Sequence, residues 1–309
     1  MHQVSVIIPV YNASAYIERC AKSLFGQTLQ DLEYVFVDDC TPDNSIKVLN
    51  EVISLYPERE EFVRIVSHKV NLGLPAARKT GLAAASGEYV IYCDSDDWVD
   101  RDMYKLMLEK AVDENADMVI SGYCESDGEY TVKNHNVDND PDIFRALIAD
   151  RIPGFTCTKL IRRSLFTDDI VFPKGNLQED TCLIIQLAGK CKHIATVDKP
   201  LYYYFQNPAS ICHTSLSEEK FLGARDNLLT AVSFLENNGF AAKYPSETRY
   251  LKSRITKISI QLPRPLFRKY NRHIDWNLLL SRYCPFKEKI GYVTKLLGIH
   301  GLSRMLRSK

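Results

Sequence analysis

The sequence predicts an α/β protein, a mostly parallel sheet with helices on both faces, followed by a helical C-terminal extension. Three observations carry this. Short β-branched or aromatic runs at residues 4–10, 34–37, 63–66 and 89–93 alternate with segments whose apolar residues recur at three- and four-residue spacing. Polar residues cluster just after each run, where ligands of open parallel sheets bind, outside the carboxyl ends of the strands. From about residue 218 the spacing is helical until Pro263 and Pro265 interrupt it.

Between the first two strands, Tyr16, Ile17, Cys20, Ala21 and Leu24 line one helical face, with Ser14 as its N-cap. Ile46, Leu49, Val52 and Ile53 form a second face after Asp43, and Pro75 opens a third helix running to Ala84, a position where its missing N–H has no helical partner anyway. Met103, Leu106, Met107 and Ala111 predict a helix leading to a strand at 118–121. The polar stretch 125–140 reads as a hairpin or flexible loop, and 202–205 as a core strand with alternate tyrosines offered to a sugar face. The expected organisation is a first half (1–100), a second half of the same domain (101–217) and a basic helical region (218–309).

The chain has 309 residues, 45% hydrophobic, enough for one large domain or two modest ones. Its formal net charge of zero hides an asymmetry: residues 241–309 hold 16 Lys/Arg against 3 Asp/Glu. Such a tail suits anionic lipid, nucleic acid or the acidic body of its own chain. The nine cysteines are scattered and lack metal-binding spacing, so they are read as reduced. The N-terminus runs straight into strand 4–10 without a leader pattern, and no apolar run reaches the ~18 residues of a membrane span. A cytoplasmic location is expected.

The most informative motif is Cys93-Asp94-Ser95-Asp96-Asp97, a buried strand opening onto three carboxylates. Carboxylate oxygens are hard donors suited to Mg2+ or Mn2+, ions that commonly complete their shell with phosphate oxygens. Capping of a following helix accounts for one carboxylate; three so close repel unless a cation compensates. Asp38-Asp39, at the second strand end, suit ribose hydroxyls or a uracil N3–H, with closure of an Asx-turn as the competing role. Arg78, in the first turns of the third helix, suits a diphosphate or a neighbouring carboxylate. Glu179-Asp180 precede an apolar helical start, where one caps the helix and the other projects into a cleft as a general base. His213 is a candidate to complete a metal shell, against the commoner structural role of a lone histidine. The first strand leads to Pro9-Val10-Tyr11-Asn12 with no glycine, which excludes dinucleotide and P-loop fingerprints.

In order and spacing, Pro9-Val10-Tyr11-Asn12, Val37-Asp38-Asp39, Asn71-Leu72-Gly73 with Arg78, Asp94-Ser95-Asp96-Asp97 and Glu179-Asp180-Thr181 resemble the family 2 glycosyltransferases of bacterial surface-polysaccharide type, over residues 4 to about 215. The resemblance implies a GT-A fold with a Rossmann-like sheet, a nucleotide-sugar donor, a Mn2+ or Mg2+ ion and inversion at the transferred sugar. Under it, Pro9, Tyr11 and Asp39 flank the nucleobase with Asp38, Asn12 and Asn71 nearby. Asp94 and Ser95 contact the ribose side of the donor, Asp94 and Asp96 hold the ion, and Asp180 beside Glu179 is the catalytic carboxylate. Two departures stand out: Arg78-Lys79 replaces the family's frequent Arg-Asn, and the Gln-x-x-Arg-Trp motif of processive members is missing, which implies single-sugar addition.

The expected acceptor is a glycan or lipid-linked oligosaccharide. Arg264, Arg268, Lys269, Arg272, Lys287 and Lys289 are interleaved with Leu266, Phe267, Trp276 and Phe286, a pattern that fits peripheral docking on an anionic inner membrane face or a helical bundle with solvated lysines, rather than nucleic acid. A sugar nucleotidyltransferase is the alternative enzyme, although its Gly-x-Gly-Thr-Arg signature is missing, and a non-catalytic nucleotide-sugar-binding scaffold is the alternative without chemistry.

Overall fold

A computed structural model describes residues 2–138, 140–207 and 215–298. The chain divides into two compact units. Met1–Asn139, Phe155–Phe172 and Leu187–His213 form the first; Asp140–Gly154, Pro173–Gln186 and Thr214–Lys309 form the second.

The first unit is built on a sheet of nine strands among the described residues: β1 (Val4–Val10), β2 (Leu32–Asp38), β3 (Val63–Ser67), β4 (Tyr89–Tyr92), β5 (Trp98–Val99), β6 (Met118–Ser126), β7 (Thr131–His135), β8 (Lys159–Arg162) and β9 (Ile194–Phe205). Their order is β3-β2-β1-β4-β8-β6-β9-β5, with β7 paired to β6. The β3-β2-β1-β4 half is parallel. Beyond it β8 runs antiparallel to both β4 and β6, while β9 is parallel to β6. Every residue of β1 is buried, the pattern of a central strand covered on both faces.

Register sets where the chemistry emerges. Val10 pairs with Asp38 and Asp38 with Ser67, so β1, β2 and β3 end level with one another, whereas the last residue of β4, Tyr92, pairs with Ile7. The helix Leu74–Ala84 covers this half at unusually close range. A Cβ at Gly81 would lie 2.3 Å from Ile7 Cγ2 and 3.2 Å from Val37 Cγ2, so only glycine lets that helix rest on β1 and β2. At the opposite end of β2, buried Glu33 accepts hydrogen bonds from the Ser5 hydroxyl and from the Ser86 and Gly87 amides, tying the turn before β4 to two strands. Burial pushes its carboxyl up, but these bonds prevail and hold it below the ordinary glutamate value.

Three sequence expectations are corrected. Ser14 is not a helix cap: the helix Ile17–Phe25 starts after Tyr16, and the Ser14 amide donates instead to Asp43. The strand expected at 118–121 runs on to Ser126 and pairs with β7, so of the two readings of the polar stretch the hairpin holds. The strand expected at 202–205 begins at Ile194, concealed by Asp198-Lys199-Pro200 and by irregular register opposite Gly122.

The second unit is helical. Its main helices are Ile143–Ile148, Glu218–Asn237, Pro245–Ser259, Arg264–Tyr270, Trp276–Leu280 and Phe286–Leu297. Pro263 and Pro265 end one helix and begin the next, Pro265 standing in the first turn of Arg264–Tyr270. Ile148, Ile185, Leu228 and Leu251 belong to one of its cores, and Phe221, Leu262, Phe267, Leu278 and Tyr292 to another. Among the described residues the cysteines are all free, and no helix is long and apolar enough to cross a membrane.

Candidate active site

The ends of β1 and β2 are locked together by one carboxylate. Asp43 accepts from the Ser14 amide (2.8 Å), the Thr41 hydroxyl (2.8 Å) and the Ser45 amide (3.0 Å) and hydroxyl (2.5 Å). Thr41 and Ser45 in turn accept from the Asn12 and Ala13 amides at 2.7 and 2.9 Å. Burial pushes Asp43 up, yet these donors hold it far below the usual carboxylate range. The two turns bend sharply, Asn12 and Cys40 both adopting left-handed φ angles of 52° and 56°. Tyr11 stands half exposed at the rim, while Pro9 lies inside β1 opposite Val37.

The neighbouring aspartates differ in surroundings. Asp38 accepts from the Thr41 amide at 2.8 Å, the Asx-turn considered from sequence. Asp39 is buried and accepts from the Leu72 and Gly73 amides, both at 2.8 Å, and sits 2.7 Å from His68 Nδ1. About three of a carboxylate's four acceptor positions are thereby engaged. His68, whose Nε2 meets the Thr80 hydroxyl at 2.9 Å, was not singled out from sequence because nothing local distinguishes it. Asn71 is exposed and its side-chain oxygen accepts from Gly73 at 3.1 Å.

At the end of β4 the three carboxylates part company. Asp97 turns into the unit, accepting from the Tyr202 hydroxyl at 2.5 Å and the Phe205 amide at 2.7 Å. The same hydroxyl accepts from the Asp94 amide at 3.2 Å, so Tyr202 pins the turn at two points and is closed to a sugar. Burial, then Asp96 and Asp94, raise the Asp97 carboxyl well above its normal value. Asp94 receives Nη2 of the buried Arg78 at 3.1 Å, the neighbouring carboxylate considered for that arginine. Asp96 accepts from Asn207 at 2.9 Å, and its backbone carbonyl accepts from Arg19 Nη2 at 2.9 Å. Burial raises the Asp96 carboxyl, Asn207 opposes this and Asp94 adds to it.

Helix capping does not explain the cluster, since the next helix starts only at Met103 after β5. Nor does the chain leave the charges to an outside cation alone, because it supplies Arg78 and Arg19. Asp94 and Asp96 nonetheless form a pair of hard oxygen donors, with Ser95 between them. No group of three or more His, Cys, Asp or Glu among the described residues is arranged to hold an ion. Two carboxylates fit a divalent ion whose remaining positions belong to phosphate oxygens. His213 lies outside the described residues. Lys79, the departure beside Arg78, is exposed, 5.6 Å from the Phe172 ring, and takes no part in these bonds.

In the second unit Glu179 and Asp180 are the first residues of the helix Glu179–Lys190, where the positive end of the helix favours anions. Glu179 is buried and Asp180 half-buried. Gln178, immediately before them, adopts a left-handed φ of 61°. Arg254 Nη2 donates to the Gln178 side chain at 2.5 Å and to the Thr181 hydroxyl at 3.4 Å, and Nη1 pairs with Asp150 at 3.3 Å. Asn227 donates to the Gly175 and Leu177 carbonyls, both at 2.9 Å, bracing the approach to the pair. Neither Arg254 nor Asn227 was read from sequence, since each lies far along the chain from the pair.

Comparison with known proteins identifies the family and the fold. Residues 5–168, more than half of the chain, match the model of Glycosyl transferase family 2. The uncharacterized glycosyltransferase EpsJ of Bacillus subtilis is 32% identical over 77% of this chain and 71% of its own. S. aureus TarS 1-349, solved in complex with UDP-GlcNAc, superposes with a TM-score of 0.65 at 20% identity, covering 95% of this chain and 90% of that one. The mannosyltransferase PcManGT from Pyrobaculum calidifontis, solved with GDP-Man and Mn2+, gives 0.56 at 15% identity, covering 96% and 88%. At such identities the two structures establish the fold, GT-A. The family match and the relative together make this chain a member of glycosyl transferase family 2, a glycosyltransferase.

Proposed function

We propose that the protein is an inverting enzyme that moves one sugar from a UDP-sugar to a hydroxyl of a glycan or lipid-linked oligosaccharide in surface-polysaccharide synthesis. The observation that carries the donor half is the Asp94–Asp96 pair, backed by Arg78 and Arg19, at the end of β4. Tyr11, Pro9, Asn12, Asp38, Asp39 and Asn71 take the base and ribose, residues 1–100 forming the donor half and 101–217 the acceptor half. The occurrence of UDP-GlcNAc on TarS supports a uridine donor, and GDP-Man with Mn2+ on PcManGT makes the guanosine donor the second choice.

Asp94 and Asp96, with His213 as a further ligand, would hold Mn2+ or Mg2+. The ion would neutralise charge on the departing diphosphate. Asp180, oriented with Glu179, takes the proton of the acceptor hydroxyl as its oxygen attacks the anomeric carbon and the bond to the diphosphate breaks. One base suffices for inversion. Residues 241–309 are read as a peripheral membrane contact on the cytoplasmic face. Trp276, Leu280 and Phe286 are 61%, 60% and 75% exposed, and Arg268, Arg272 and Lys287 are exposed with them.

Calorimetric titration of UDP in Mn2+, in EDTA and with Asp96→Ala tests the donor site: metal-dependent binding lost in the variant is expected. No heat with UDP or GDP would turn the reading to a scaffold. Cosedimentation with phosphatidylserine vesicles at low salt tests the membrane contact, and failure to pellet would sink it.

A further inference from the structure

We propose that Arg19 is a positioning residue for the metal-binding carboxylate Asp96, an inference resting on the donor site above. Arg19, on the helix Ile17–Phe25, places its guanidinium between two aromatic walls, 3.8 Å from the centre of the Trp98 ring and 4.8 Å from that of Phe205. The walls are themselves fixed. Trp98 stacks on Tyr203 at 5.3 Å and 7°, its partner in the β5–β9 ladder, and Phe205 donates its amide to Asp97. A hairpin turn closes the remaining side: Gly128, at a φ of 104°, would bring a Cβ to 3.2 Å from both Arg19 Nη1 and Phe205 Cε2.

From this slot Nη2 reaches the Asp96 carbonyl at 2.9 Å. The Asp96 side chain is held separately by Asn207, which lies 3.4 Å from the Tyr16 hydroxyl, one helical turn before Arg19. Packing alone does not call for an arginine here. Among the described residues its Nε is buried without a partner, a cost an aliphatic side chain of similar length would avoid. The fixed charge and donor instead serve Asp96 and Asp97, holding the Asp96 backbone in place before an ion arrives. Partners outside the coordination shell that orient a ligand in this way sharpen metal affinity without touching the metal.

The test titrates UDP calorimetrically at a series of Mn2+ concentrations and in EDTA, using the full chain and its Arg19→Met and Arg19→Lys variants, with thermal melts in parallel. Arg19→Met keeps the apolar stem between Trp98 and Phe205 and removes the donor and the charge. The Mn2+ concentration for half-maximal UDP binding is expected to rise about tenfold in Arg19→Met, with partial recovery in Arg19→Lys and metal-free binding unchanged. If Arg19→Met melts like the parent yet needs no more Mn2+, the proposal fails. It also fails if UDP binding weakens equally in Mn2+ and EDTA. Should Arg19→Met not fold, Arg19→Lys is decided by the same readouts, with a smaller rise in Mn2+ requirement expected. A parent that binds neither UDP nor GDP with Mn2+ overturns the donor site and this inference together; a parent that binds while the variants do not move overturns this inference alone.

Discussion

The carboxylates after β4 and those opening the helix Glu179–Lys190 are both supported by arginine, but in different ways. After β4, Arg78 bonds the Asp94 carboxylate itself and Arg19 the Asp96 backbone. In the second unit Arg254 bonds Gln178 and Thr181, the residues on either side of Glu179 and Asp180. The difference matches the tasks proposed for them. A metal ligand must stay charged, and a permanent cation favours the charged form; a base must stand at a fixed place beside the hydroxyl it deprotonates, which bonds to its neighbours in the chain help to supply. Bracing the neighbours in the chain fixes where the proposed base stands.

The comparison breaks most visibly at Asp180. Asp180→Asn should lower transfer by about a hundredfold to ten-thousandfold while leaving UDP binding intact, as removal of a general base does; turnover at the parent rate would remove Asp180 from that role. Arg254→Met sharpens the contrast, with kcat expected to fall by up to about a hundredfold through misplacement of the turn, at unchanged UDP affinity. An effect on UDP affinity instead of kcat would show that the two supports are not separable. Tyr202→Phe, on the donor side, leaves the buried Asp97 oxygen without its donor and should cost about 1–3 kcal/mol in a denaturant melt.

The smallest effect concerns pH, at the end of β2 away from the donor loops. Glu33 is held below its unfolded value, so its contribution to stability is complete above the ordinary glutamate pKa and disappears as pH falls through the lowered folded value. Acid melts of Glu33→Gln should therefore be flatter with pH than those of the parent; identical slopes would show that Glu33 is not a source of the acid sensitivity.

Much of the first unit was legible because its signals are local. The runs at β1, β2 and β4 are largely apolar, Asp38 ends β2, and Asp94 and Asp96 lie within four residues of the end of β4. What escaped depends on distant partners. Asp97 looks like Asp96 in sequence, and only Tyr202 and the Phe205 amide, more than a hundred residues later, turn it inward. Arg19 lies on an ordinary amphipathic helix, and its aromatic walls come from β5 and β9. The irregular opening of β9 broke the alternation that would have marked it.

Gly81 carries no chemistry, yet it bears on any attempt to change the donor by mutagenesis. Its missing side chain fixes how deeply the helix bearing Arg78 sits on β1 and β2, three residues from the arginine that meets Asp94. A library diversified only at ligand-facing positions inherits a constant charge at that spot. One that admits alanine at Gly81 would displace the guanidinium along with its helix, and clones lost for that reason would be misread as evidence about sugar selectivity.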